Sequence, residues 1–183
     1  RDYTRIKSME WGVGDHHMMD LVVLHKDKLI RPWLTRFDDM GSRYITGWWI
    51  DAIPHALTIL RALDMSLTNC GAFQNLLIDN GKDFTCRWLS GNEWKIRRQG
   101  NITKEIETLV EGVFHECGFN LHFCNPYRGQ SKPIERAFRT DIELFEKRIE
   151  TYVGSNTVTR PEEAKLYWSK IGKRDKKKVF LTL

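Results

Sequence analysis

The chain has 183 residues, which suits one domain with room for a short terminal appendage. An apolar share of 41% with mixed charge excludes a disordered polypeptide, and no apolar run approaches the roughly 18 residues of a membrane span. A net charge of +5, from 29 Lys and Arg against 24 Asp and Glu, favours a polyanionic partner only weakly. The sequence starts at Arg1 without Met or a signal sequence, and it reads as a piece excised from a longer cytoplasmic protein.

In chain order, Gly14-Asp15-His16-His17 leads into Met18-Met19-Asp20-Leu21-Val22-Val23-Leu24, which is apolar enough to predict a central strand. Arg31–Phe37 and Tyr44–Ile50 follow as two further strands. The turn composition of Asp38-Asp39-Met40-Gly41-Ser42 joins them as an antiparallel hairpin. From Pro54 the period changes: Leu57, Leu60, Arg61, Leu63, Asp64 and Leu67 form a helical stripe ended by Asn69-Cys70-Gly71. Asn75–Ile78 is a short buried strand broken by Asp79-Asn80-Gly81, and residues 85–101 are irregular, basic and aromatic. A second helix is expected from Thr103 to Gly118, then a strand at Leu121-His122-Phe123 and a loop rich in Pro, Gly and Ser. A long helix opens near Pro133, a residue suited to the first helical position, and reaches about Tyr152. Three strands, helix, strand, helix, strand, helix predicts an α/β fold, with a mixed sheet and helices on both faces.

The four cysteines make no C-x-x-C pair. His115, Cys117, His122 and Cys124 do form two H-x-C pairs, the one arrangement that invites zinc. The first pair falls at a helix end and the second on one face of a short strand, where a small core thiol is ordinary. Reduced thiols are the expected state. The basic run Lys170, Lys173, Arg174, Lys176, Lys177 and Lys178 reads either as a solvated tail or as a contact for a polyanion.

Three acids stand where such a fold would gather them. Asp15 opens the first strand, Asp79 ends the fourth, and Glu135 lies in the first turn of the last helix. Ligands collect beyond strand ends in sheets of this kind, and hard carboxylate oxygens from separate elements suit Mg²⁺ or Mn²⁺. Each acid alone has a plainer reading. Asp79-Asn80-Gly81 could be a turn, Glu135 could favour the positive end of its helix, and Asp15 could face solvent.

Four blocks carry a resemblance. They are Trp11-x-x-x-Asp15-His16-His17, Arg31-Pro32-Trp33-Leu34-Thr35, Asp79-Asn80-Gly81-x-x-Phe84, and the run from Asn125 to Phe138 containing Gln130-x-Lys132-Pro133-x-Glu135-Arg136-Ala137-Phe138. Together they resemble the integrase catalytic core of DDE transposases and retroviral integrases, and the last block resembles the bacteriophage Mu type closely. The blocks run in family order from about Trp11 to Phe145. Fifty-five residues separate Asp79 from Glu135, a gap similar to Mu-type enzymes and longer than in retroviral integrases. Lys82-Asp83 departs from a stretch that in the family often contains Gly or Glu.

The resemblance implies an RNase H-like fold with a five-stranded sheet. It implies a core at 1–156 and, at 157–183, a linker or the start of a small β-barrel with its basic tail. It assigns Asp15, Asp79 and Glu135 as catalytic, metal-holding carboxylates for two Mg²⁺ (or Mn²⁺) ions per active site. Asp20 rivals Asp15 for the first position, but lies an odd number of residues away and so faces the other side of a regular strand. The implied chemistry is cleavage at transposon ends to expose a 3′-OH, then attack of that hydroxyl on target DNA. The implied partners are double-stranded DNA, further copies of the chain on that DNA, and a target-selection protein; no membrane is involved.

Arg87, Lys95, Arg97 and Arg98 after Asp79, with Arg128, Lys132 and Arg136 around Glu135, are the candidate DNA contacts. Trp88 and Trp94 among them either stack on bases or pack into the core. His16 and His17 beside Asp15 are either structural or a base or metal ligand. Two other functions share much of this pattern: an RNase H-like nuclease without strand transfer, separable by a joining assay with a pre-cut end, and an inactive DNA-binding or assembly module.

Overall fold

The structure is a computed structural model that describes residues 5–91, 112–124 and 133–154. Its centre is a five-stranded sheet of β1 (Trp11–Met18), β4 (Trp33–Asp39), β5 (Ile45–Asp51), β6 (Asn75–Ile78) and β7 (Asn120–Phe123), in the order β5-β4-β1-β6-β7. β1, β6 and β7 run parallel. The amide of Met40 bonds the Trp11 carbonyl at one end of β4, and Met19 bonds Pro32 at the other, both at 2.9 Å, so β4 is antiparallel to β1. The sheet is therefore mixed, as expected. A separate hairpin pairs β2 (Val23–His25) with β3 (Lys28–Ile30). Its two-residue turn, Lys26-Asp27, has positive φ at both positions (47° and 62°), as a type I′ turn requires. The helices are α1 (Ala56–Cys70), α2 (Arg87–Ser90), α3 (Val113–Glu116) and α4 (Pro133–Leu144), with a 3-10 turn at Glu146–Arg148.

The chain divides into two compact units. The first contains the residues up to Asp15, then Thr35–Trp49 and His55–Ile134. Its core gathers Phe37, Ile59, Leu63, Phe73, Leu76, Ile78, Phe84, Leu89, Phe114 and Leu121. α1 begins with a capping box: His55 Nδ1 accepts the Thr58 amide at 3.3 Å, and Thr58 Oγ1 accepts the His55 amide at 3.2 Å. It ends at Gly71, whose φ of 86° favours glycine. The second unit contains His16–Leu34, Ile50–Pro54 and the stretch from Glu135 onward. Val22, Leu24 and Val153 form its small core, and an isolated bridge pairs Leu21 with Tyr152.

Three expectations change. The central strand is Trp11–Met18, not the more apolar Met18–Leu24, because rings from elsewhere supply its covering. A Cβ on Gly12 would meet the Phe73 ring, and one on Gly14 the Phe37 ring at 2.6 Å, so glycines stand where apolar side chains were sought. The buried face of α1 is Thr58, Ile59, Ala62, Leu63 and Ser66; of the leucine stripe, Leu63 is buried, Leu60 and Leu67 pack at its edge, and Leu57 is exposed. Small residues face inward there because β5 approaches the helix backbone at Gly47. The last helix stops at Leu144 rather than Tyr152, and the chain then turns to bring Glu146 inward. Of the helix expected at 103–118, only α3 falls within the described residues.

Candidate active site

The registered pairs between β1 and β6 end at Gly14 opposite Ile78. Asp15 follows Gly14 within β1 and Asp79 directly follows β6, so the first two sequence-predicted carboxylates come next after the last registered pair of these adjacent parallel strands. Both are partly exposed. Asp15 lies within β1 rather than opening it. The turn reading of Asp79-Asn80-Gly81 does not hold as a hairpin, since β6 and β7 are parallel. The segment is instead tied down locally. The Asn80 side-chain amide donates to the Cys124 carbonyl at 2.5 Å, and the Cys124 amide donates to the Ile78 carbonyl at 3.0 Å. The Thr85 amide and hydroxyl both donate to the Gly81 carbonyl, at 3.0 and 2.9 Å. These bonds fix the backbone on either side of Asp79.

Glu135 belongs to the second unit, exposed in the first turn of α4, with exposed Arg136 next to it. Asp20 is deeply buried and paired with Arg31, whose Nε also donates to the Met19 carbonyl at 2.9 Å. Burial raises its pKa above the ordinary carboxylate value; Arg31 opposes that shift and Glu146 adds to it. An acid committed in this way is a structural ion, which favours Asp15 for the first position. His17 is also committed: its Nε2 lies 3.1 Å from Glu146 Oε1, and its ring stacks on Phe138 at 4.9 Å between centroids.

Arg87 is exposed in α2, and Trp88 beside it is 58% exposed, so Trp88 does not belong to the core. Trp94, Lys95, Arg97, Arg98, Arg128 and Lys132 lie outside the described residues. The four cysteines are thiols, not half-cystines. Burial, and then neighbouring Glu116, push the Cys117 thiol above its usual range, which disfavours the thiolate a metal would need. Among the described residues no group of three or more His, Cys, Asp and Glu is gathered as a metal cage. Asp15 and Asp79, both partly exposed, carry oxygen donors of the type hard divalent cations take. Sequence reasoning missed Glu146. In the sequence it is one more charge in a run with Glu143 and Lys147, and no local signal marks it as buried.

The family model described as bacteriophage Mu transposase matches residues 3–181. The chain is 29% identical over 153 residues to the transposase for transposon Tn552 of Staphylococcus aureus, covering 78% of this chain and 28% of that protein. It is 27% identical over 175 residues to the Mu-like prophage FluMu transposase A of Haemophilus influenzae, covering 88% of this chain and 24% of that one. The chain thus spans about a quarter of the length of these curated relatives. Among solved structures it resembles the HTLV-2 integrase catalytic core domain in complex with magnesium, with a TM-score of 0.50 and 11% identity over 91% of this chain and 90% of that one. It also resembles a chain of a simian T-cell lymphotropic virus intasome, with a TM-score of 0.51 and 12% identity over 85% of this chain and 45% of that one. These likenesses show the RNase H-like fold of the integrase cores. With the fold and the family model in agreement, the chain belongs to the bacteriophage Mu transposase family.

Proposed function

We propose that this chain is the catalytic core of a DNA transposase, a DDE-type polynucleotidyl transferase that cleaves transposon ends and joins the freed 3′-OH to target DNA. The observation that supports the reading is the parallel register of β1 and β6, whose last registered pair, Gly14 and Ile78, is followed in the chain by Asp15 and Asp79. Glu135 is the third carboxylate of the proposal. By strand alternation His17 shares a face of β1 with Asp15, and α4, the helix carrying Glu135, packs its Phe138 on that histidine. The magnesium in the HTLV-2 core supports Mg²⁺ or Mn²⁺ as the cofactor; two ions per site are part of the proposal.

Asp15, Asp79 and Glu135 would hold the cations. When bound, these supply Lewis acidity that lowers the pKa of the attacking oxygen and neutralises the leaving one. In end cleavage, water attacks the phosphorus and the bond to the 3′ oxygen breaks, leaving a 3′-OH. In joining, that hydroxyl attacks a target phosphodiester and displaces a 3′ oxygen, so the number of phosphodiester bonds is conserved. Neither step requires a protein nucleophile. Arg87 and Arg136, both exposed, would hold DNA phosphates, with Lys95, Arg97, Arg98, Arg128 and Lys132 in the same role. The intasome relative supports further copies of the chain assembling on DNA, and a target-selection protein and a bacterial cytoplasmic setting complete the proposal. Among the described residues no helix is long and apolar enough to cross a membrane. The core is assigned to 1–156, with 157–183 as a linker or the first part of a further domain.

The test is an oligonucleotide assay with Mg²⁺ or Mn²⁺ that scores cutting of an intact end and joining of a pre-cut one. Asp79→Asn abolishes both while circular dichroism shows an unchanged fold. Full activity in that variant refutes the assignment, and cutting without joining by the parent chain identifies a nuclease instead.

A further inference from the structure

Tryptophan gains more than most side chains from burial, yet Trp88 stands 58% exposed while its neighbours Leu89 and Ser90 are fully buried. The segment around it is fixed to the body of the first unit. Before α2, Phe84 is buried against the Phe37 ring, and the Thr85 amide donates to the Gly81 carbonyl at 3.0 Å. Within α2, the Leu89 and Ser90 amides donate to the Cys86 carbonyl at 3.1 and 3.0 Å, and the Gly91 amide to that of Arg87 at 3.0 Å. At the end of α2 the backbone of Leu89 and Gly91 lies so close to Gly112 that a Cβ there would collide with both. Successive helical side chains point about 100° apart, so with Leu89 and Ser90 turned into the core the backbone holds the indole outward.

A fixed indole facing solvent fits either a nucleic-acid base or a pocket on another protein, and charge decides between them. Arg87, exposed as well, directly precedes Trp88, and the chain as a whole carries +5. A protein pocket closing over the indole would also have to desolvate the adjoining guanidinium. A DNA strand offers both groups a partner at once: a phosphate for Arg87 and a base face for Trp88. Base faces inside an intact duplex are already covered by their neighbours. The base that meets Trp88 is therefore an unpaired one, as at an opened or cut end.

We infer that Trp88 is a specificity-determining residue that stacks on an unpaired base at a DNA end, while Arg87 holds a phosphate of the same strand. This rests on the proposed reading of the chain as a core that processes DNA ends. Stacking tolerates any base, because every base has a π face. Trp88 thus selects opened ends over intact duplex and does not read sequence.

The experiment is fluorescence anisotropy with the full chain in metal-free buffer, so that no strand is cut. Two labelled DNAs are compared: a blunt duplex, and the same duplex with a few unpaired nucleotides at one end. The parent binds the opened end more tightly. Trp88→Ala lowers affinity for the opened end by about 5- to 150-fold, the range for loss of one stacked base, and leaves blunt-duplex binding unchanged. Trp88→Phe keeps a π face and restores most of the preference. Arg87→Ala weakens both DNAs alike, since phosphate contacts position a strand without reading its bases. Trp48→Ala, which removes an indole 46% exposed on β5, behaves as the parent. Circular dichroism accompanies each variant, and if Trp88→Ala does not fold, Trp88→Gln, which keeps length without a ring, decides the matter. The inference is overturned if the parent shows no preference, if a folded ringless variant keeps the parent's preference, or if Trp48→Ala loses it equally. A parent that binds neither DNA sinks the functional reading itself. A parent that binds both, with Trp88→Ala unchanged, leaves that reading standing and assigns the indole to a protein partner instead.

Discussion

Replacing Gly47 by Ala tests how closely β5 and α1 are packed. An added Cβ would lie 2.7 Å from the Ser66 backbone nitrogen and 3.0 Å from its Cβ, and would also collide with the Ala62 carbonyl oxygen. Two of these three atoms are helix backbone, so no side chain can swing aside; α1 must retreat from the sheet. Retreat stretches the Ser66 to Thr46 hydroxyl bond of 2.8 Å, which is buried together with the 3.0 Å bond from Thr46 to the Phe37 carbonyl. Overpacking of this kind costs about 1–3 kcal/mol and the weakened buried hydrogen bond about 1 kcal/mol. Against this, alanine restricts the unfolded chain and returns about 0.4–1 kcal/mol. The balance is a loss of about 2 kcal/mol, or roughly 4–8 °C in Tm for a chain of this size. Thermal unfolding followed by circular dichroism measures it. Gly81→Ala is the control: its Cβ would meet only Asp79 Oδ2 at 3.6 Å, an ordinary contact, so Tm should rise by about 1–4 °C from restriction of the unfolded chain alone. A Gly47→Ala variant as stable as the parent would show that the sheet and helix are not in the contact described.

Two further outcomes are expected. Burial alone would raise the Asp39 pKa, but hydrogen bonds from the Ser42 hydroxyl and amide, the Ser8 hydroxyl and the Gly41 amide outweigh it and hold the carboxyl below its usual range. Stability from Asp39 is therefore complete above the unfolded carboxylate pKa of about 3.9 and is lost as pH falls through the lower folded value. Asp39→Asn should be less stable at neutral pH and lose less on acidification, as read by urea unfolding at a series of pH values; an unchanged acid dependence would sink the argument. For DNA binding, replacing Arg87 and Arg136 together by Ala should reduce the slope of log affinity against log salt by about 1 for each phosphate contact removed. A slope identical to the parent's would place both arginines off the DNA.

The elements that carry two of the candidate acids were readable because they are coded locally. Asp79-Asn80-Gly81 after a short apolar strand, and Pro133-Ile134-Glu135 opening a helix, are strand-end and helix-start signals that depend on neighbours in sequence, and the structure has Asp79 directly after β6 and Glu135 in the first turn of α4. The hairpin of β4 and β5 is equally local: Asp39 folds its own turn by accepting the amides of Gly41 and Ser42. Choosing Asp15 over Asp20 needed more. Alternation favoured Asp15, but the partner that removes Asp20 from consideration, Arg31, sits across a hairpin.

The sequence by itself determined the chain order of the sheet strands and of the helices within the described residues, and the family blocks, because periodicity, caps and turn residues act over a few residues. Tertiary structure alone decided which stretch became the central strand, which face α1 buries, and that Glu146 points inward. Each of those depends on atoms far along the chain: the Phe37 and Phe73 rings against Gly14 and Gly12, the α1 backbone against Gly47, and His17 and the Asp20 amide for Glu146. A glycine or a glutamate carries no mark of the distant group that will fill the space beside it, and that group is present only once the chain has folded.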